Sequence, residues 1–183
     1  MGMLIVVLGL VLWALAHFFK RIAPARRAAM GQAGRGIVAA GVVGGLVLMI
    51  VGYRMADFVP VWTPPAWTVH INNVMMLGAV FLFGMSQTTG RLRGKMRHPQ
   101  LAAVKVWAVA HLLVNGDLAS IVLFGGLLIW AVAEVVVINR SEPWDRPEPG
   151  DPARDPLLLM ITLAMFIVIS GIHAWLGVWP FPG

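Results

Sequence analysis

Histidine supplies most of the chemistry open to this chain, at His17, His70, His98, His111 and His173. There is no cysteine, so thiolate ligands, disulfides and thiol nucleophiles are excluded. Four of the five histidines lie in or at the end of apolar runs, where ionisable groups are costly and turn toward a bundle interior. His111 has the richest surroundings. Trp107 stands one helical turn before it and Asn115 one turn after it, so the three share a face. A neutral imidazole is a good ligand for haem iron, and its second ring nitrogen then needs a hydrogen-bond partner. The competing reading is a buried histidine bonded to a neighbouring helix.

The other polar residues carry two readings each. His17 lies one turn before the end of the first apolar run, with Trp13 one turn behind it. Its plain reading is an interfacial histidine among Lys20 and Arg21. His98, in Arg97-His98-Pro99-Gln100, is suited to an anionic headgroup, a cofactor propionate or a solvated helix cap. His70, near Asn72 and Asn73, and His173, at the end of the last run, are interfacial histidines. Either joins His111 if the site lies toward the outer face. Glu134 is a lone carboxylate before Arg140, expected to reach water and a candidate proton relay. The eleven methionines are apolar filler. No phosphate-binding loop, zinc-protease motif or nucleophile elbow is present.

The elements that must position these residues are apolar helices. Hydrophobic residues make up 59% of the 183 and charged residues 12%, against about 25% charged in soluble domains. The mean hydropathy is +0.82. So few charges cannot cover a soluble surface, and lipid is the expected solvent. A bilayer core of about 30 Å needs about 20 apolar helical residues. Six segments approach that length: Met3 to Phe19, Ile37 to Val51, Trp67 to Met85, Pro99 to Val114, Leu118 to Ile138 and Leu157 to Trp175. The first has its basic residues after it, the reverse of a signal peptide, and is expected to be retained.

The net charge of +6 sits in alternate loops, which argues for topology and against nucleic acid. Lys20, Arg21, Arg26, Arg27 and Arg35 fill the first loop, Arg91 to Arg97 the third, and Arg140, Arg146 and Arg154 the fifth. By the positive-inside rule these loops are cytoplasmic and both termini lie on the outer, periplasmic side. Trp62, Trp67, Trp175 and Trp179 fall at the outer boundaries, where indoles prefer to sit. Pro99 suits a first helical turn. Asn115-Gly116 is expected to stop the fourth helix in the left-handed conformation, and Asp117 to cap the fifth. Gly41 to Gly45 is a small-residue helix-packing surface. The fold class is all-α, a polytopic transmembrane bundle of about six helices. It forms a single domain over residues 1–183, with a solvated cytoplasmic loop at 139–156.

Arg97-His98-Pro99-Gln100, then Trp107-Ala108-Val109-Ala110-His111, then Asn115-Gly116-Asp117-Leu118-Ala119-Ser120 together resemble the NnrU family. His17 before a basic loop, Gly52-Tyr53-Arg54 and Trp62 to Trp67 agree with it. The similarity covers most of residues 1 to 140. The resemblance implies a bacterial inner-membrane protein linked to nitric oxide and nitrite metabolism. It further implies kinship with zeta-carotene isomerase, a membrane enzyme whose haem b is held by two histidines. Those histidines match His111 and, at the end of an early helix, His17. His70, His98, Trp107, Asn115 and Asp117 complete the candidate cofactor-binding set. The isomerase's cysteine ligand, three residues before the histidine matching His111, is replaced here by Ala108, so its ligand switch does not carry over. Two functions are expected to compete. One is haem-dependent redox chemistry or isomerisation of a lipid-soluble substrate, or nitrogen-oxide handling with a membrane redox partner. The other is a cofactor-free assembly or regulatory factor.

Overall fold

The computed structural model describes residues 1–182 and is helical throughout its regular structure. In chain order the helices are α1 (Gly2–Ile22), α2 (Pro24–Ala29), α3 (Gly31–Met55), α4 (Thr68–Gln87), a 3-10 helix (Arg91–Lys95), α5 (Pro99–Val114), α6 (Leu118–Ser141) and α7 (Arg154–Trp175). Five of them, α1, α3, α4, α6 and α7, are long and apolar enough to cross a membrane. α5 has 16 residues, about 24 Å at 1.5 Å per residue. It is shorter than a full hydrocarbon span, so the expected six crossings reduce to five full-length candidates and one short apolar helix.

The chain forms two compact units. The first comprises Met1–Trp62 and Gly116–Ser141, the second Thr63–Asn115 and Glu142–Gly183. In the first unit α1 runs against α3 at backbone distance. A Cβ added to Gly52 would lie 2.5 Å from the Val6 nitrogen, and one added to Gly45 would lie 2.8 Å from the Trp13 nitrogen. Only glycine permits that approach. Without a hydrophobic drive between helices in lipid, such close van der Waals contact is what holds them. The small-residue surface expected at Gly41 to Gly45 is therefore real and extends to Gly52. α6 lies against both α1 and α3.

Asn115 ends α5 in extended backbone (φ −122°, ψ 112°), not in the left-handed region expected. The physical reason is a small antiparallel bridge inside the first unit, Pro60 to Asp117. The Gly116 carbonyl accepts hydrogen bonds from the Val61 and Trp62 amides, and the Leu118 amide donates to the Val59 carbonyl. Extended strand pairing thus stops the chain where a left-handed cap was anticipated. Asp117 does cap α6, accepting from the Ser120 amide at 3.0 Å.

In the second unit α4 carries α5 on one side and α7 on another, with the 3-10 helix against α4 and α7. Pro99 takes the first turn of α5 as expected. The segment leading to α7 is mostly exposed but is fastened at several points. The Arg97 guanidinium donates to the Glu142 carbonyl at 2.6 Å, Arg146 donates to the Gly94 carbonyl, and Arg91 pairs with buried Asp155.

Candidate functional site

α5 brings Trp107, His111 and Asn115 onto one face, as their four-residue spacing dictates. His111 Nδ1 lies 2.9 Å from the Trp107 carbonyl oxygen, and the two rings stand 5.0 Å apart. Asn115 Nδ2 donates back to the His111 carbonyl at 2.8 Å. A carbonyl only accepts, so the Nδ1 that faces it carries the proton and Nε2 keeps the lone pair. That is the tautomer a metal ligand needs, with the ring oriented by its own helix. Ala108, one residue past Trp107, is fully buried.

Beside Trp107 lies an apolar cleft of about 860 Å³ lined by α4, α5 and α7. Phe83, Val104, Leu158 and Met165 line its length, and His173 closes the wall near the end of α7. At the other end are Gln87, Thr88, Thr89 and Arg154. Arg154 and His173 are separated by nineteen residues of one helix, or about 28 Å. His173 repeats the His111 pattern, with Nδ1 2.8 Å from the Ile169 carbonyl.

His17 lies in the first unit. Its Nδ1 is 2.8 Å from the Trp13 carbonyl. Its ring contacts the indoles of Trp13 and Trp130 at 4.4 and 4.7 Å. Around it are buried polar atoms without a protein partner, namely the indole N–H of Trp13 and of Trp130 and Oε2 of Glu134. Glu134 corrects the sequence expectation. It is 5% exposed and pairs with Arg21, Nη1 to Oε1 2.8 Å. The helix periodicity suggested contact with water near Arg140, but α1 lies over that face of α6 and supplies the counter-charge.

The remaining candidates divide. His70 is exposed on the first turn of α4 and lines neither the cleft nor the hollow beside His17. His98 is the N-cap residue of α5. Asp117 is buried in the first unit, taken up by Ser120, whose hydroxyl also meets the Tyr53 hydroxyl at 2.8 Å. It serves the start of α6. Trp130 was missed by sequence reasoning, because it stands in mid-helix without a polar neighbour at helical spacing other than Glu134. Among the described residues no three His, Cys, Asp or Glu side chains gather as a cage for a bare metal ion.

The family model described as NnrU protein matches residues 5–180. No curated protein and no solved structure matches the chain.

Proposed function

The chain belongs to the NnrU family, and from that premise we propose that it is a haem b protein of the bacterial inner membrane that acts on a lipid-soluble substrate. The carrying observation is a pair of histidines in the second unit. His111 and His173 both have Nδ1 held by a carbonyl of their own helix, which leaves Nε2 as the basic nitrogen, and His173 and Trp107 line the cleft. The donor set fits haem, since imidazole is a common axial ligand and the macrocycle itself supplies the other four nitrogens. The apolar cleft of about 860 Å³ lies within the range of cofactor sites, roughly 300–1,000 Å³.

His111 would hold the haem iron, with His173 as the second imidazole of the same unit. The Trp107 ring stands tilted beside His111 at 5.0 Å. His17 has the same tautomer but belongs to the first unit. Haem would supply an iron centre for redox or ligand chemistry, and the family's link to nitrogen oxides makes a small nitrogen oxide an alternative substrate. The cleft is longer than a macrocycle. The stretch toward Arg154 gives an elongated apolar molecule a channel.

The test is haem content per chain, by pyridine haemochrome, in His111→Ala, His173→Ala and His17→Ala. The reading expects loss in His111→Ala and loss or weakened retention in His173→Ala. Full haem content in His111→Ala would sink it and leave the cofactor-free assembly or regulatory factor. Loss in His17→Ala with none in His173→Ala would transfer the second ligand to His17.

A further inference from the structure

The two ends of the cleft in the second unit differ in what they can bind. The end away from His173 offers hydrogen-bond donors. The Thr88 hydroxyl accepts from the Gly90 amide at 3.1 Å, which leaves its own proton for a further acceptor. The Thr89 hydroxyl belongs to the same stretch of the lining. The Gln87 amide nitrogen is already taken, donating to the Ser86 hydroxyl at 2.7 Å. Arg154 is exposed at this mouth and is the one permanently charged side chain of the lining.

The nearby carboxylates are occupied elsewhere. Asp155, next to Arg154 in sequence, pairs with Arg91 and accepts from the Leu92 amide. Asp151 accepts from the Ala153 amide at 2.9 Å, just before α7. Among the described residues the Arg154 guanidinium has neither an ion pair nor a hydrogen bond. One guanidinium and two hydroxyls at a single mouth call for a group that accepts and carries negative charge. An ionised carboxylate only accepts, and the guanidinium fork matches it with two parallel bonds.

Beyond the mouth the wall turns apolar, with Phe83, Val104, Leu158, Ile161 and Met165 along it. Thr162 is the one hydroxyl between the mouth and His173, and it is spent on the Leu158 carbonyl at 2.8 Å. A polar group partway along the ligand would be buried there at a cost. A phospholipid brings two ester groups behind its headgroup, whereas a fatty acid brings none. Arg154 and His173 stand nineteen helical residues apart, about 28 Å, against about 15 Å for half of a bilayer core. An acyl chain therefore has room beside a macrocycle at the histidine end. Resting on the function proposed above, which makes the ligand of this cleft lipid-soluble, we propose that its substrate is a long-chain fatty acid. Arg154 and the Thr88 and Thr89 hydroxyls hold the carboxylate, and the chain lies along α4 and α7 with its methyl end toward His173.

The experiment measures binding of tritiated palmitate to the full chain in detergent, with unlabelled palmitate, hexadecanol and phosphatidylglycerol as competitors. In wild type, palmitate should compete about tenfold better than hexadecanol, which has the same chain without the carboxylate. Arg154→Gln should weaken palmitate about tenfold and leave hexadecanol unchanged. Ile161→Trp, which fills the apolar wall away from the mouth, should weaken both. A thermal melt of each variant separates loss of the site from loss of the fold. Hexadecanol equal to palmitate, phosphatidylglycerol equal to palmitate, or unchanged palmitate binding in either folded variant each overturns the proposal. Haem content of the same preparations keeps the two readings apart. Haem without palmitate binding overturns the fatty-acid site alone, and palmitate binding without haem supports that site and overturns the haem reading.

Discussion

Arg21 on α1 and Glu134 on α6 form an ion pair inside the first unit, 2.8 Å apart, with side chains 17% and 6% exposed. Removing one partner of such a pair strands the other charge, at a cost of roughly 3–5 kcal/mol. Glu134→Ala should therefore lower the thermal midpoint in detergent strongly. Arg21→Met with Glu134→Met should recover most of the loss, because an apolar pair leaves no stranded charge. A midpoint in Glu134→Ala equal to wild type would show that the pair contributes nothing.

The contact of α1 with α3 should be intolerant of a single methyl. Gly52→Ala places a carbon against the Val6 backbone, and overpacking of that kind costs about 1–3 kcal/mol. Gly36→Ala, in the same helix with open space around it, is the control and should be neutral or slightly stabilising. Melting curves of the two variants check this. Equal midpoints would mean that the helices can part at no cost.

Asp117 caps α6 and accepts from the Ser120 hydroxyl, which also meets Tyr53. Loss of a cap costs about 1 kcal/mol, and here two buried hydroxyls lose part of their network as well. Asp117→Ala should be more damaging than Ser120→Ala, read as yield and midpoint in one detergent. The reverse order would place the stabilisation in the Tyr53–Ser120 contact.

Much of this architecture was legible in the sequence because lipid imposes simple rules. The Pro99 start of α5 and its end at Val114 emerged at the expected residues, the start because proline suits a first helical turn, the end for a different reason from the one anticipated. Helix limits elsewhere were longer than hydropathy alone indicated. α3 begins at Gly31, six residues before Ile37, because polar and glycine residues of the basic loop continue the helix beyond its apolar stretch. α2 was not anticipated, as six residues rich in alanine and arginine carry no apolar period. The conformation of Asn115 depended on pairing with residues 59–62, which is distant in sequence. The same limit governed the site. Trp107, His111 and Asn115 followed from spacing within one helix. The partnership of Glu134 with Arg21 and the placing of His173 in a cleft wall needed a second helix, and no periodicity reports that.

The absorption spectrum of the purified protein, oxidised and then reduced with dithionite, tests the central claim most directly. It should be recorded for wild type and for His111→Ala after expression with a haem precursor. A Soret band with sharp reduced α and β bands in wild type, absent in His111→Ala, is the predicted result and is the signature of six-coordinate low-spin haem. A colourless wild-type protein, or an unchanged spectrum in His111→Ala, would contradict the account.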